Sequence, residues 1–470
     1  MHLIMTVKRS DKDVGTTDLM QRGYPFALRR TNRKSERGQT IVLVAISMMA
    51  LVAMAALAVD VTTLYIARSE AEKAAAAGAL AGARTFVTSG FTSGGLGPPN
   101  SASAQSLVCN NSTGFADLQA KTAATQNLIA GRAPASVITA CSFPTPQNPR
   151  ISVTVQGSDL PTFFSRIWGA FDGQVTAASS AEAYNPSGQT VPIQVASVKP
   201  WLVANCDYGN HAPGLLNPKC PLSIPGGLNA DYFVDPANDY AVANNGSFIG
   251  QHLRLQQVLP TLVPGLPMPS LLDSYFALDI PIDAASASCP ALSGVSCGGL
   301  NPASPGYPET IACANATPIS CGDQVKIAAG GGILLSSSAV DAPKCLIHSS
   351  GDGLNKGQDV FTPPVFGDPI LIEGGSNNPD VSLQGKPSIS RSDSVVTVPL
   401  WDGNGLLLGP GATARVVGFL QLGIEEVRPG LFGLTTEIDG IILNASGCGT
   451  ASGTPVSGAK ISPIPVRLVQ

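Results

Sequence analysis

Charged side chains are scarce in this chain of 470 residues, since Asp, Glu, Lys and Arg make up 13% of it. Glycine (50 residues) and proline (38 residues) are abundant instead. This composition is poor for a mainly helical protein and indicates a β-rich body with many loops. The length exceeds one ordinary domain and is sufficient for two or three.

The sequence contains no C-x-x-C pair, and its four histidines are scattered, which argues against a structural zinc site. None of the ten cysteines precedes residue 109. They are Cys109, Cys141, Cys206, Cys220, Cys289, Cys297, Cys313, Cys321, Cys345 and Cys448. An even number of cysteines confined to the later part of the chain predicts disulfide bonds formed in an oxidising compartment.

Charge and proline are both absent from Thr40 to Val59, a run of twenty residues. This is the length that a helix needs to cross the hydrocarbon core of a bilayer. A cleaved signal peptide is the alternative, but its apolar region is shorter and ends at a cleavage site. The helical pattern continues past Val59, so we expect a retained single-pass anchor with Asp60 at its outer boundary.

Positive charge is concentrated before the apolar run. Residues 1–38 carry a net charge of +5, which leaves −9 for residues 39–470 because the whole chain carries −4. A basic cluster beside a membrane span stays in the cytoplasm, so the N-terminus is predicted to be cytoplasmic and the body to lie outside. Nucleic-acid binding is the alternative for this cluster, but a topology signal explains its position.

Residues 1–36 have no periodicity and are expected to be a disordered tail, part of which could precede the true start.

The helix is expected to run from about Gly38 to Ala83, or on the order of 70 Å. Its second half is rich in alanine between Ala74 and Ala83. Small residues allow a second helix to approach closely, so this half is a candidate surface for partner helices. Alanine also simply favours helix, which is the alternative explanation.

The segment from Arg37 to Ala83 resembles the N-terminal segment of TadG-like and TadE-like proteins of Flp (Tad) pilus assembly. That pattern combines an Arg-Gly-Gln start, an apolar run, a Val-Asp-Val exit, a Leu-Tyr pair and an alanine-rich end. The matching residues are Arg37, Gly38, Gln39, Val59, Asp60, Val61, Leu64, Tyr65, Ala79, Leu80, Ala81, Gly82 and Ala83. A weaker resemblance extends through residues 161–183.

One position departs from the pattern of processed pilins. Such precursors are cut after a glycine and carry a glutamate five residues later, where this chain has Leu43 after Gly38. The resemblance therefore implies an uncleaved, anchored TadG-like protein.

Some TadG-like proteins resemble carriers of a von Willebrand A domain, whose Asp-x-Ser-x-Ser motif is incomplete at Asp273 and Asp393.

The predicted fold class is α+β, with four segments. They are a tail at 1–36, the transmembrane and extended helix at 37–84, a pilin-like α+β head at 85–185 and a mainly β, disulfide-containing ectodomain at 186–470. In the head we expect a linker at 84–114, a helix at 115–132 and strands at 136–143, 150–156 and 173–183. We also expect a short helix at 160–171 capped by Asp159. Ectodomain strands are expected near 191–198, 247–259, 275–280, 332–335, 394–400, 414–422 and 438–443.

Three local cysteine pairs are candidates for disulfides in the ectodomain. They are Cys206 with Cys220, Cys289 with Cys297, and Cys313 with Cys321. Each would close a short loop and stabilise it by a few kcal/mol. With ten cysteines, other connectivities remain open.

Motifs for catalysis or metal binding are weak. Ser296 stands in a G-x-S-x-G match, but its flanks predict a loop where a nucleophile elbow needs a strand and a helix. The acidic turns at 352–357 and 402–405 leave calcium binding open, although Lys356 replaces an oxygen ligand. No cofactor, no small-molecule substrate and no nucleic-acid partner are expected.

These observations favour a non-enzymatic protein of the bacterial inner membrane that acts in Flp/Tad pilus assembly or a related secretion apparatus. The resemblance implies partners among pilus-assembly or pilin-like proteins, contacted through the N-terminal helix. The alternatives are an anchored surface adhesin or ligand-binding protein, and an anchored hydrolase.

Overall fold

The described part of the chain covers most residues after the tail. The computed structural model describes residues 36–469 except 94–100, 146, 161–163, 165–172, 188–191, 207–231, 259–273, 282–305, 315–316, 329–336, 350–357, 363–367, 377, 403–410, 431–434, 450–454 and 458–461. The expected tail up to residue 35, the strand expected at 332–335, Ser296, Cys220, Cys289 and Cys297 therefore lie outside the described residues. The chain divides into two compact units, Met1–Val59 and Asp60–Gln470.

The described elements are five helices and eighteen strands. The helices are α1 (Glu36–Thr88), α2 (Ala102–Val108), α3 (Phe115–Gln126), α4 (Tyr307–Ala312) and α5 (Ser337–Leu346). The first nine strands are β1 (Ser136–Ser142), β2 (Arg150–Leu160), β3 (Gly173–Ala183), β4 (Ile193–Val195), β5 (Trp201–Ala204), β6 (Val234–Asp235), β7 (Ala241–Val242), β8 (His252–Val258) and β9 (Ser274–Ala277). The others are β10 (Ile319–Ser320), β11 (Gln324–Lys326), β12 (Val360–Thr362), β13 (Leu371–Glu373), β14 (Val395–Trp401), β15 (Thr413–Pro429), β16 (Thr436–Gly447), β17 (Val456–Ser457) and β18 (Val466–Val469).

The long helix α1 continues five residues past the expected end at Ala83. It ends at Thr88, two residues before Gly90, which has φ +76° and donates its backbone N–H to the carbonyl of Val87. Glycine adopts this left-handed conformation without strain, which is why helices commonly end there. The linker expected at 84–114 is therefore wrong in part, since it contains the end of α1 and the helix α2.

The head sheet consists of four antiparallel strands in the order β1-β2-β3-β18. One face of β2 points into the core, because Ile151, Val153 and Val155 are fully buried. The helix expected at 160–171 lies outside the described residues except at Leu160 and Phe164. Its expected cap is wrong: Asp159 has φ +54° and lies within β2, where the pairing with β3 shifts register between Gly157 and Leu160. A residue in left-handed conformation at such an irregularity bends the strand without ending it.

The larger sheet contains a closed ring of six strands. Around the ring the order is β15, β14, β5, β9, β8 and β16, and β16 pairs with β15 again. β14 pairs in parallel with β5, as β8 does with β9, and the other neighbours are antiparallel. Closure leaves no open edge in this ring. All seven residues of β14 are buried, as are the side chains of Trp201 and Trp401.

The chain is thus a long N-terminal apolar helix followed by a mainly β body. The boundary expected near residue 186 stays a prediction. The last strand, β18, pairs with β3, so residues at the two ends of the body belong to one sheet.

Two described disulfides join parts of the body. Cys109 bonds to Cys141 and Cys321 bonds to Cys448, with Cα–Cα distances of 6.3 and 5.2 Å. The expected pair Cys313–Cys321 is therefore wrong. The reason lies in β15, where the carbonyl of Val416 accepts the N–H of Gly322 and the carbonyl of Val417 accepts the N–H of Cys448. Neighbouring β15 residues hold both cysteine segments, although 127 positions separate the two cysteines.

The remaining described cysteines are bonded too. Cys206, Cys313 and Cys345 are disulfide-bonded, and no described cysteine is free. The predicted disulfide-containing character of the body is therefore confirmed.

Candidate functional site

The apolar half of α1 leaves its side chains uncovered. Ile41, Leu43, Met48, Met49 and Met54 are 64–71% exposed, and among residues 40–59 Ala56 alone is buried. From Gly38 to Thr88, α1 is long and apolar enough to cross a membrane. A core helix of a soluble protein passes the same test of length and composition, but such a helix would be covered. Burying each large apolar side chain is worth about 1.5–3 kcal/mol, so this surface requires lipid or apolar partners.

Asp60 follows this apolar run and belongs to the body. Its side chain is buried, and its carboxylate Oδ2 accepts the backbone N–H of Phe164 at 3.0 Å. A carboxylate bound to backbone N–H groups stabilises the local fold. Asp60 therefore holds the backbone at Phe164 close to α1.

The alanine-rich half of α1 is buried inside the protein. One stripe at helical spacing is at most 1% exposed: Ala67, Ala71, Ala74, Ala75, Ala79 and Ala83. A Cβ at Gly78 would lie 2.9 Å from the carbonyl oxygen of Ala120 in α3, and one at Gly82 would lie 2.7 Å from Cδ1 of Ile151 in β2. Small residues therefore let α1 lie directly against α3 and β2.

This packing corrects the hypothesis about partner helices. The buried alanines between Ala74 and Ala83 lie on the side of α1 that packs against α3 and β2, so that side is not available to a second chain. On the other side of the helix, Leu80 is 37% exposed and Ala81 is half-buried. Nearer the apolar run, Tyr65 and Ile66 are 74% and 52% exposed. The exposed motif residues are thus Val59, Val61, Tyr65 and Leu80, together with Gly38 and Gln39.

Glu70 links the middle of α1 to the loop after α3. Its Oε2 accepts the backbone N–H of Ala130 at 2.6 Å. Ala130 has φ +49°, an unfavourable conformation for alanine that this hydrogen bond helps to hold.

The C-terminal end of α1 is joined to β16 by a buried polar network. The amide of Asn444 donates to the carbonyl of Val87 and to Oγ1 of Thr92, both at 2.8 Å, and its Oδ1 accepts the hydroxyl of Ser93. Asn185 donates to the carbonyls of Thr92 and Ala445, each at 3.1 Å. Satisfied buried networks of this kind fix one arrangement of the elements that they join.

Sequence reasoning missed this network. Asn185 stands in a stretch without a motif, and Asn444 begins an Asn-x-Ser sequence that says nothing of a buried network. Nothing in the sequence brings residues 93 and 444 together. The sole local signal is an asparagine at an inward position of a strand. This signal does not indicate which residues the asparagine contacts.

Among the described residues, one cluster of side chains has a geometry that could hold a metal ion. The Sγ atoms of Cys109 and Cys141 and a carboxylate oxygen of Asp117 lie within 4.8 Å of one another. The two cysteines form a disulfide and so offer no thiolate, while Asp117 accepts the backbone N–H of Asn110 at 2.9 Å. The calcium candidates at 352–357 and 403–405 lie outside the described residues.

Comparison with known proteins identifies the α1 region. Residues 38–85 match a family model described as putative Flp pilus-assembly TadE/G-like, which agrees with the resemblance seen in the sequence. The matched residues coincide with the exposed apolar run and the buried small-residue stripe. No curated protein and no solved structure matches the chain. The match and the apolar helix fit a membrane-anchored Flp/Tad component.

Proposed function

We propose that this protein is a non-enzymatic, single-pass membrane component of Flp/Tad pilus assembly or a related secretion apparatus. The match of residues 38–85 to the TadE/G-like family carries this proposal. The same residues form α1, whose first half is apolar and exposed and whose second half is built into the body. Membrane anchoring and support of the body are therefore assigned to one helix.

The span runs from Thr40 to Val59 in the bacterial inner membrane. The net charge of +5 on residues 1–38 supports a cytoplasmic N-terminus and a body in the periplasm or outside the cell. Disulfides in the body support this orientation, since they persist in oxidising compartments. Leu43 at the position of the pilin glutamate supports a permanent anchor.

Partner contacts of α1 are made by its apolar run and the exposed side near Tyr65. The buried stripe from Ala74 to Ala83 leaves these surfaces for pilin-like helices or the inner-membrane platform. The mainly β body contributes protein–protein contacts.

Anchoring is tested by carbonate extraction of membranes from cells that make the full chain. Wild type is expected in the pellet, and a chain lacking 40–59 in the soluble fraction. A double variant Leu51→Lys, Val52→Lys adds two charges at the span centre, each costing about 2.5–3.5 kcal/mol, and is expected to lose membrane retention. The matched control Leu51→Ala, Val52→Ala stays in the pellet. Retention of the deletion variant would refute the anchor.

The role in assembly is tested by deleting the gene and restoring it in the same strain. Loss of surface pili, restored by the wild-type chain, is expected. Normal pili with lost attachment to surfaces would instead support an anchored adhesin.

A further inference from the structure

A depression at the junction of α1, β15 and β18 collects two arginines. Arg84 of α1 and Arg391, which precedes β14, line it together with Gln421 of β15 and Ser462 before β18. The depression is small and open to solvent at its mouth. That space accommodates one small ion.

The charge of Arg84 is not balanced by the described residues. None of their carboxylates lies within ion-pair distance of its guanidinium, whereas Arg391 pairs with Asp380. Arg84 keeps access to solvent, yet the atoms around it lower its pKa by desolvation, and repulsion by Arg391 lowers it further. Asp380 offsets the charge of Arg391, so the guanidinium of Arg84 carries the uncompensated charge at the depression, and an anion there would balance it.

Gln421 adds a polar group that the fold does not use. Its side chain is 2% exposed and lines the depression, and its Oε1 has no hydrogen-bond partner among the described residues. A buried amide oxygen without a partner costs about 1–3 kcal/mol. A ligand with an O–H group would satisfy it.

We propose that this depression binds a single oxyanion of the phosphate type. The guanidinium groups of Arg84 and Arg391 donate to its oxygens, as guanidinium forks commonly do to phosphate and carboxylate. Phosphate at neutral pH retains a proton, so its O–H donates to Oε1 of Gln421. A carboxylate offers the same acceptor oxygens without that donor. This inference does not rest on the proposed role in pilus assembly.

The test measures thermal unfolding of the full chain in detergent, with inorganic phosphate titrated against sodium chloride of equal ionic strength. Wild type is expected to show a saturable rise in Tm, about 3 °C at phosphate 100-fold above Kd. Arg84→Gln and Arg391→Gln are expected to lose this rise. The control Arg68→Gln removes a positive charge from the same helix at a position outside the depression. This variant is expected to keep the rise in Tm with phosphate.

The variants also separate binding from general salt effects. Without phosphate, Arg84→Gln is expected to unfold at the same Tm as wild type or higher, because repulsion by Arg391 is relieved. Phosphate stabilises many proteins by exclusion from their surface. An equal rise in wild type and both pocket variants, or no rise in wild type, would therefore overturn the proposal. Acetate is expected to act more weakly, and an acetate response equal to that of phosphate would overturn the assignment to a phosphate-type ion.

Discussion

At the scale of single residues, glycines decide how closely α1 approaches its neighbours. Gly78 faces the backbone of α3, whereas Gly38 has no atom within 4 Å of an added Cβ. Both positions read alike in the sequence, as glycines within a helical pattern. Their roles differ because α3 packs against α1 at Gly78 and not at Gly38. No local sequence pattern reveals this difference.

Gly78→Ala is expected to lower the Tm of the body. Alanine favours helix by about 1 kcal/mol, but its Cβ would lie 2.9 Å from a backbone oxygen that cannot move alone. Overpacking of this kind costs about 1–3 kcal/mol, so the net loss reaches up to about 2 kcal/mol. Thermal unfolding of the full chain in detergent measures this loss of stability.

Gly38→Ala is the matched control and leaves the Tm of the body unchanged. A Tm for Gly78→Ala equal to or above that of wild type would contradict the close packing of α1 on α3.

At the scale of elements, much of the local structure could be predicted. The bounds of β3 match the expectation, and β1 and α3 start where their patterns start. These elements have strong periodicity and clear turn residues at their ends. The run of β2 past residue 156 could not be predicted, because it depends on the irregular pairing with β3 around Asp159.

Disulfide connectivity also belongs to this scale, and spacing along the chain was a poor guide to it. Non-reducing peptide mapping is expected to recover Cys321 linked to Cys448 and Cys109 linked to Cys141. In the chain-entropy model, losing the longer loop costs about 5 kcal/mol and losing the shorter one about 4 kcal/mol. The double variant Cys321→Ser, Cys448→Ser is therefore expected to unfold at lower denaturant than Cys109→Ser, Cys141→Ser.

A peptide joining Cys313 to Cys321 would contradict this connectivity. The reverse order of the two double variants in denaturant would contradict the entropic account while leaving the pairing intact.

At the scale of the whole molecule, the sequence predicted a mainly β body but not how it closes. β5 and β14 pair in parallel although about 190 residues separate them, and β18 joins a sheet formed near the start of the body. Such pairings depend on the final packing, because the short strands involved carry no signal that names their partner. The candidate anchor, by contrast, was predictable because it is one continuous segment.

Removal of residues 466–470 is expected to destabilise the head sheet. It uncovers the edge of β3 and takes away Arg467, which pairs with the buried carboxylate of Glu182 at 2.5 Å. An open β edge pairs readily with other chains. Size-exclusion chromatography and limited proteolysis should show self-association and faster cleavage between β1 and β3.

The control Arg467→Gln keeps β18, and Arg150 still pairs with Glu182 at 2.7 Å. The Arg467→Gln variant should therefore remain monodisperse in size-exclusion chromatography. Wild-type behaviour of the truncated chain would show that β18 is dispensable.

The place of β18 also bears on how the protein is made. β3 ends at Ala183 and β18 begins at Val466, so about 280 residues are synthesised between these two strands. At about 5–20 residues per second, this takes on the order of 15–60 s. For all of that interval the outer backbone groups of β3 have no partner strand. The nascent chain therefore carries an open β edge that can pair with other chains until β18 has emerged.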